Sequence, residues 1–99
     1  MASKSKINGE KLRNATSALK AIASTNGVEI LQHLEENGRC NVNQIYSTLQ
    51  IEQSMCSQKL KAFRQFNLVS TEREGKKIFY SLNWSNLNPI LDFANGVSE

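Results

Sequence analysis

Apolar positions recur along most of this 99-residue chain at spacings of three and four, then switch to a period of two between residues 68 and 82. Leu12, Ala15, Leu19 and Ile22 make the first helical stripe, with Asn8 placed to cap it. Ser24 is the next cap candidate, followed by Val28, Ile30, Leu31 and Leu34 in a second helix that Asn37-Gly38 should stop. Asn41 is placed to cap a short third helix carrying Val42, Ile45, Tyr46 and Leu49, and Gln50-Ile51-Glu52 reads as a tight turn. A fourth helix runs from Gln53 to Phe66 and ends at Asn67, a residue that tolerates the left-handed conformation. The segments 68–73 and 77–82 then read as strands joined by a short loop, Glu74-Gly75-Lys76. A last helix, about Asn86 to Asn95, carries Leu87, Ile90, Leu91 and Ala94. Pro89 fits there only in a first turn, which sets the expected start near Asn86 or Asn88.

The fourth helix shows how its two sides divide. At about 100° per residue, Leu60 falls about 40° from Cys56 and Phe63 about 20° to the other side, making one apolar stripe. Opposite lie Ser54, Gln58, Lys61 and Gln65, with Ser57 and Arg64 on one flank and Lys59 on the other. That side offers small polar groups and cations and no carboxylate. The expected fold is therefore mostly α with a β-hairpin, in the order of four helices, two strands and one helix. Two helices joined by a tight turn and followed by a basic hairpin define a winged helix-turn-helix. A helix of this kind fits the major groove, where polar side chains meet base edges, and a cationic hairpin tip reaches neighbouring phosphates.

Composition narrows the picture further. The length allows one domain across 1–99, with 1–7 expected to be disordered, and such a small core gains from a partner subunit. A hydrophobic content of 39% excludes a disordered tail, and no apolar run approaches a membrane span. With two Cys and no secretory signal, a cytoplasmic setting without disulfides is expected. The net charge of +3 is unevenly spread: residues 53–66 hold Lys59, Lys61 and Arg64 with no acid, whereas 26–52 set Glu29, Glu35, Glu36 and Glu52 against Arg39 alone. A basic module beside an acidic one points to nucleic acid.

Several motifs also resemble those of the ArsR/SmtB repressors. Leu49-Gln50-Ile51-Glu52-Gln53 and Ser54 to Phe63 are similar to that family's leucine-glycine-leucine-serine-glutamine turn and its serine-x-x-leucine-lysine recognition helix. Arg73-Glu74-Gly75-Lys76-Lys77-Ile78-Phe79-Tyr80-Ser81-Leu82 resembles the family wing, and Leu19-Lys20-Ala21-Ile22-Ala23-Ser24 the entry to its second helix. The resemblance covers roughly residues 17–83. It implies a homodimeric repressor on an imperfect palindromic operator in double-stranded DNA, joined through its first and last helices, 8–24 and 86–95. Leu12, Ala15, Leu19, Leu87, Ile90, Leu91 and Ala94 are the dimerisation candidates. Gln53, Ser54, Ser57 and Gln58 are expected to read bases; Lys59, Lys61, Arg64, Arg73, Lys76 and Lys77 to hold phosphates.

The departures from the family are equally specific. Where it places two sensing Cys around a valine, this chain has Asn41 and Asn43 around Val42, and the last helix offers Asp92 but no His. Amide oxygens replace thiolate and imidazole poorly, so no metal and no cofactor is expected, and the effector is left as an unknown small molecule or protein. Gln58 and Lys59 replace a common arginine and histidine, and Glu52 stands where a capping Ser or Thr is usual. Cys56 lies on the packing stripe and Cys40 at an apolar family position, which predicts buried thiols rather than a redox pair. His33 has no neighbour at ligand spacing and reads as structural, and Trp84 and Phe93 as core or dimer packing rather than a ligand cavity. One His, no nucleophile–base spacing and no Gly-rich phosphate loop speak against an enzyme. The alternatives are a winged-helix protein-interaction module and a thiol-based redox-responsive regulator.

Overall fold

A computed structural model describes residues 8–96. Four helices come first: α1 (Gly9–Ala23), α2 (Thr25–Asn37), α3 (Val42–Leu49) and α4 (Gln53–Gln65), with a two-residue strand β1 (Cys40–Asn41) between α2 and α3. The hairpin strands β2 (Val69–Glu74) and β3 (Lys77–Leu82) and the final helix α5 (Trp84–Gly96) follow. This is a winged helix-turn-helix. Residues 1–7, read as a frayed start, lie outside the described residues, as do the side chains of Leu12, Ala15 and Phe93.

Local chemistry sets the helix boundaries. Ser24 caps α2 by accepting from the Gly27 N–H at 3.0 Å while its hydroxyl donates to the Ala21 carbonyl at 3.1 Å. This α1–α2 corner is so close that a Cβ on Gly27 would collide with the Ala21 carbonyl oxygen. Gly38, at φ 75°, ends α2 and donates its N–H to the Leu34 carbonyl. At the start of α3 the Gln44 N–H donates to Asn41 Oδ1 and the Asn41 N–H to Gln44 Oε1, both at 2.9 Å, closing a reciprocal capping box. Gln50 turns the chain at φ 57° towards α4.

The end of α4 forms a complete Schellman motif. Leu68 N–H donates to the Phe63 carbonyl at 2.8 Å and Asn67 N–H to the Arg64 carbonyl at 3.0 Å, with Asn67 at φ 59°. Phe63 and Leu68, whose side chains accompany that motif, are both fully buried. They join Ile30, Leu34, Ile45, Cys56 and Leu60 in the core, so the apolar stripe of α4 packs as its spacing predicts.

Three details differ from the sequence expectations. First, β1 is a third strand: it pairs antiparallel with β3, Cys40 opposite Tyr80 and Asn41 opposite Phe79, in the order β1-β3-β2. A two-residue strand has no period of its own and exists only through its partner. Second, Glu74 belongs to β2 opposite Lys77, which leaves a two-residue turn, Gly75-Lys76, with Gly75 at φ 63°. Third, α5 begins at Trp84 and not near Asn86, because the Asn83 carbonyl accepts from the N–H groups of Asn86 and Leu87. Pro89 consequently lies in the second turn. The carbonyl it leaves without a helical donor belongs to Ser85, an exposed residue.

Candidate nucleic-acid interface

The outward side of α4 carries the polar set intact. Gln53, Ser54, Ser57, Gln58, Lys61, Arg64 and Gln65 are exposed, and Lys59 is half-buried on the flank. The buried Cys56, Leu60 and Phe63 stripe anchors the opposite side, so the rotation of the helix is set by its core contacts. Glu52 occupies the N-cap with no side-chain capping bond and is the acid nearest this surface in the sequence.

The wing presents Lys76 and Lys77, both exposed and, among the described residues, outside every ion pair. Arg73 is exposed too, but its Nε donates to the Gly75 carbonyl at 3.1 Å, so it braces the turn. One cation that the sequence reading did not place here is Arg39. Its guanidinium carbon lies 4.1 Å from the centre of the Phe79 ring, its Nε meets Glu72 at 3.2 Å and its Nη2 meets Glu74 at 2.6 Å. The helical and wing sets thus lie on two elements that follow one another, with α4 packed on β2.

The sensing positions have other work. Asn41 is buried in the capping box and Asn43 is exposed on α3. Both thiols are free and buried; burial raises the Cys40 pKa and pushes that of Cys56 up to about 11. His33 is buried, with Asn37 Nδ2 3.3 Å from its Nδ1 and donating to its carbonyl at 2.9 Å. Among the described residues no cluster of three or more His, Cys, Asp or Glu side chains is arranged to hold a metal. No described helix is long and apolar enough to cross a membrane.

A second surface is largely apolar. Ile22, Val28, Leu31, Leu82, Trp84, Leu87 and Leu91, joined by Gln32 and Glu35, line an open groove of about 370 Å³. Trp84 is 43% exposed, and Leu19, Val28 and Leu91 are each close to two-fifths exposed. Of the expected dimer residues, Leu19, Leu91 and Ala94 are exposed and Ile90 is half-buried. Leu87 is buried in its own core, so within one chain it holds α5 down.

An exposed, acid-free helix with a lysine-tipped hairpin beside it is the surface of a winged helix-turn-helix regulator. No family model matches the chain. Its relatives are informative nonetheless. It is 31% identical over 93 residues to the HTH-type transcriptional regulator NmtR of Mycobacterium tuberculosis, covering 94% of this chain and 77% of that one. Against the transcriptional activator HlyU of Vibrio cholerae it is 32% identical over 77 residues, covering 78% and 70%. The solved structure of HlyU superposes with a TM-score of 0.69 at 28% identity, over 91% of this chain and 97% of that one. A homodimeric winged helix-turn-helix domain, Mb0332 from Mycobacterium bovis, described as a possible ArsR-family regulator, gives 0.78 over 99% and 90%. At 23% identity it speaks for the fold alone. At 30% identity over 82 residues to the arsenical resistance operon repressor of Bacillus subtilis, covering 83% of this chain and 78% of that one, the chain belongs to the ArsR/SmtB family of winged helix-turn-helix transcriptional regulators.

Proposed function

We propose that this chain is a sequence-specific, double-stranded-DNA-binding repressor that works as a homodimer in the cytoplasm. The observation that carries the reading is the exposed face of α4: Ser54, Ser57, Gln58 and Lys61 with no carboxylate among them. Gln53, Ser54, Ser57 and Gln58 offer donors and acceptors to base edges in the major groove, while Lys59, Lys61 and Arg64 hold flanking phosphates. Arg73, Lys76 and Lys77 extend that grip to the next stretch of backbone through the wing. Repression follows from occupancy, since a dimer seated across two half-sites covers the promoter DNA that the polymerase needs.

The dimer reading rests on the apolar groove. Exposed Val28, Trp84 and Leu91 line it from α2 and α5, Leu19 is exposed on α1, and a second copy burying these side chains would complete a core that a domain this small builds only sparsely. Residues 1–99 are taken as one domain, its first and last helices forming the joint. Burial of both thiols gives no support to a thiol-responsive regulator.

Selection from a random duplex pool, followed by sequencing, tests the whole reading. The expected result is a two-fold-related site whose half-site centres lie about 34 Å apart. The absence of any enriched duplex would overturn it. Sedimentation equilibrium tests the assembly separately: a species of twice the 11.1 kDa chain mass is expected, and Trp84→Glu should shift it towards the monomer.

A further inference from the structure

We propose that Arg39 is the positioning residue of the wing: it takes up the two carboxylates of β2 so that Lys76 and Lys77 stay free for DNA phosphates. The inference deepens the DNA-binding reading and rests on it.

The geometry follows from strand register. Asn41 stands opposite Phe79 and Phe79 opposite Glu72, so these three residues form one row across β1, β3 and β2. Side chains alternate along strands, which puts Arg39, Asn41, Phe79, Glu72 and Glu74 on one face of the sheet and Cys40, Val69 and Leu82 on the other. Cys40 and Val69 are buried, so the Arg39 side is the outer face. From the loop before β1, the Arg39 side chain crosses that face. It passes over the Phe79 ring at 4.1 Å and ends at Glu72 and Glu74, 3.2 Å and 2.6 Å away. One guanidinium thereby ties all three strands together, 33 residues from Glu72 in sequence.

Charge gives this tie its consequence. Glu74 pairs in register with Lys77 and lies beside the turn that carries Lys76. A carboxylate there has two possible cationic partners, Arg39 or the wing lysines. Arginine satisfies it with a planar fork of donors that a lysine lacks, and stacking on Phe79 holds that fork in place. With Arg39 occupied in this way, Lys76 and Lys77 are outside every ion pair among the described residues. Without it, Glu72 and Glu74 would turn to the wing lysines and compete with phosphate for them. Exposed ion pairs contribute little to folding, so the effect belongs to binding rather than to stability.

A mutant cycle on the full chain decides the matter, with affinity for the selected duplex measured across a range of salt concentrations. Arg39→Ala is expected to weaken binding about tenfold and flatten the log–log salt slope by about one unit per subunit. In a Lys76→Ala/Lys77→Ala background the same substitution should change affinity by about twofold or less, because the groups it liberates are gone. Adding Glu72→Gln and Glu74→Gln to Arg39→Ala should restore most of the lost affinity. Circular dichroism establishes that each variant is folded; should Arg39→Ala fail to fold, Arg39→Gln takes its place. Equal losses in both backgrounds, or no recovery on removing the carboxylates, would overturn the proposal while leaving DNA binding intact. A wild-type protein with no salt-dependent affinity for any duplex would overturn both together.

Discussion

Asn83 donates its side-chain amide to the backbone carbonyl of Asn67 at 2.9 Å, and Asn86 reaches the same oxygen at the same distance. Asn67 is the left-handed residue that ends α4, and Asn83 caps α5. A single carbonyl therefore joins the end of the helix proposed to face DNA to the beginning of the helix proposed to face a partner subunit. The Asn83 N–H, donating to the Leu68 carbonyl at 3.0 Å, adds a third link.

Because the acceptor is backbone, the side chain of Asn67 itself is dispensable to this clasp. Asn67→Gly, which suits φ 59°, should leave stability within a few tenths of a kcal/mol, whereas Asn67→Val should be clearly destabilising. Asn83→Ala/Asn86→Ala removes both side-chain donors and should cost about 1–3 kcal/mol. Denaturant unfolding at fixed protein concentration measures each.

Reading and holding should separate on α4. Lys61→Ala is expected to weaken binding to all duplexes alike and to reduce the salt slope by about one unit per subunit. Gln58→Ala should instead relax preference at one base position, by about 1–3 kcal/mol if its contact is bidentate. Competition between the selected duplex and single-base variants distinguishes the two patterns, and identical behaviour of the two variants would contradict the assignment of roles.

The two thiols should be inert in the native protein. Burial raises the Cys56 pKa from its ordinary 9.0 to about 11, so the folded chain keeps its proton where the unfolded chain would release it. Its contribution to stability is thus complete below pH 9 and declines as the pH rises towards 11. Iodoacetamide should modify Cys56 slowly at neutral pH and rapidly in denaturant, followed by mass spectrometry. Cys40 shifts in the same direction and should follow the same order.

Operator binding should be insensitive to zinc, cadmium and arsenite under reducing conditions. A hundredfold release of DNA needs coupling of about 3 kcal/mol, which requires ligands whose affinity differs between bound and free geometries. Asn41 and Asn43 supply no thiolate, and Cys40 and Cys56 are both buried. Release of DNA by stoichiometric metal, abolished by Cys40→Ser, would restore a sensing role.

What the sequence made legible was local. Ser24, Gly38, Asn41 and Asn67 each mark a helix end through chemistry confined to a few residues, and all four function at those ends. The α4 stripe was readable because Cys56, Leu60 and Phe63 share one side of a regular helix. The strand β1 was not, since its two residues gain strand character only from β3. Arg39 was equally opaque: it looked like the lone cation of an acidic stretch, and its partners lie on the wing. The start of α5 was misplaced by giving Pro89 too much authority; an exposed carbonyl at the surface tolerates the missing donor.

The capping box at Asn41 also bears on how this lineage can change. Asn41 stands where the resemblance places a sensing cysteine, and here it both accepts from Gln44 and holds the start of α3. A mutation to cysteine would forfeit that cap before a second thiolate existed to reward the change. Metal sensing at this position needs two substitutions, the first of them harmful alone. Descendants of this chain are therefore more readily recruited to new signals through surface change than through thiolates at α3.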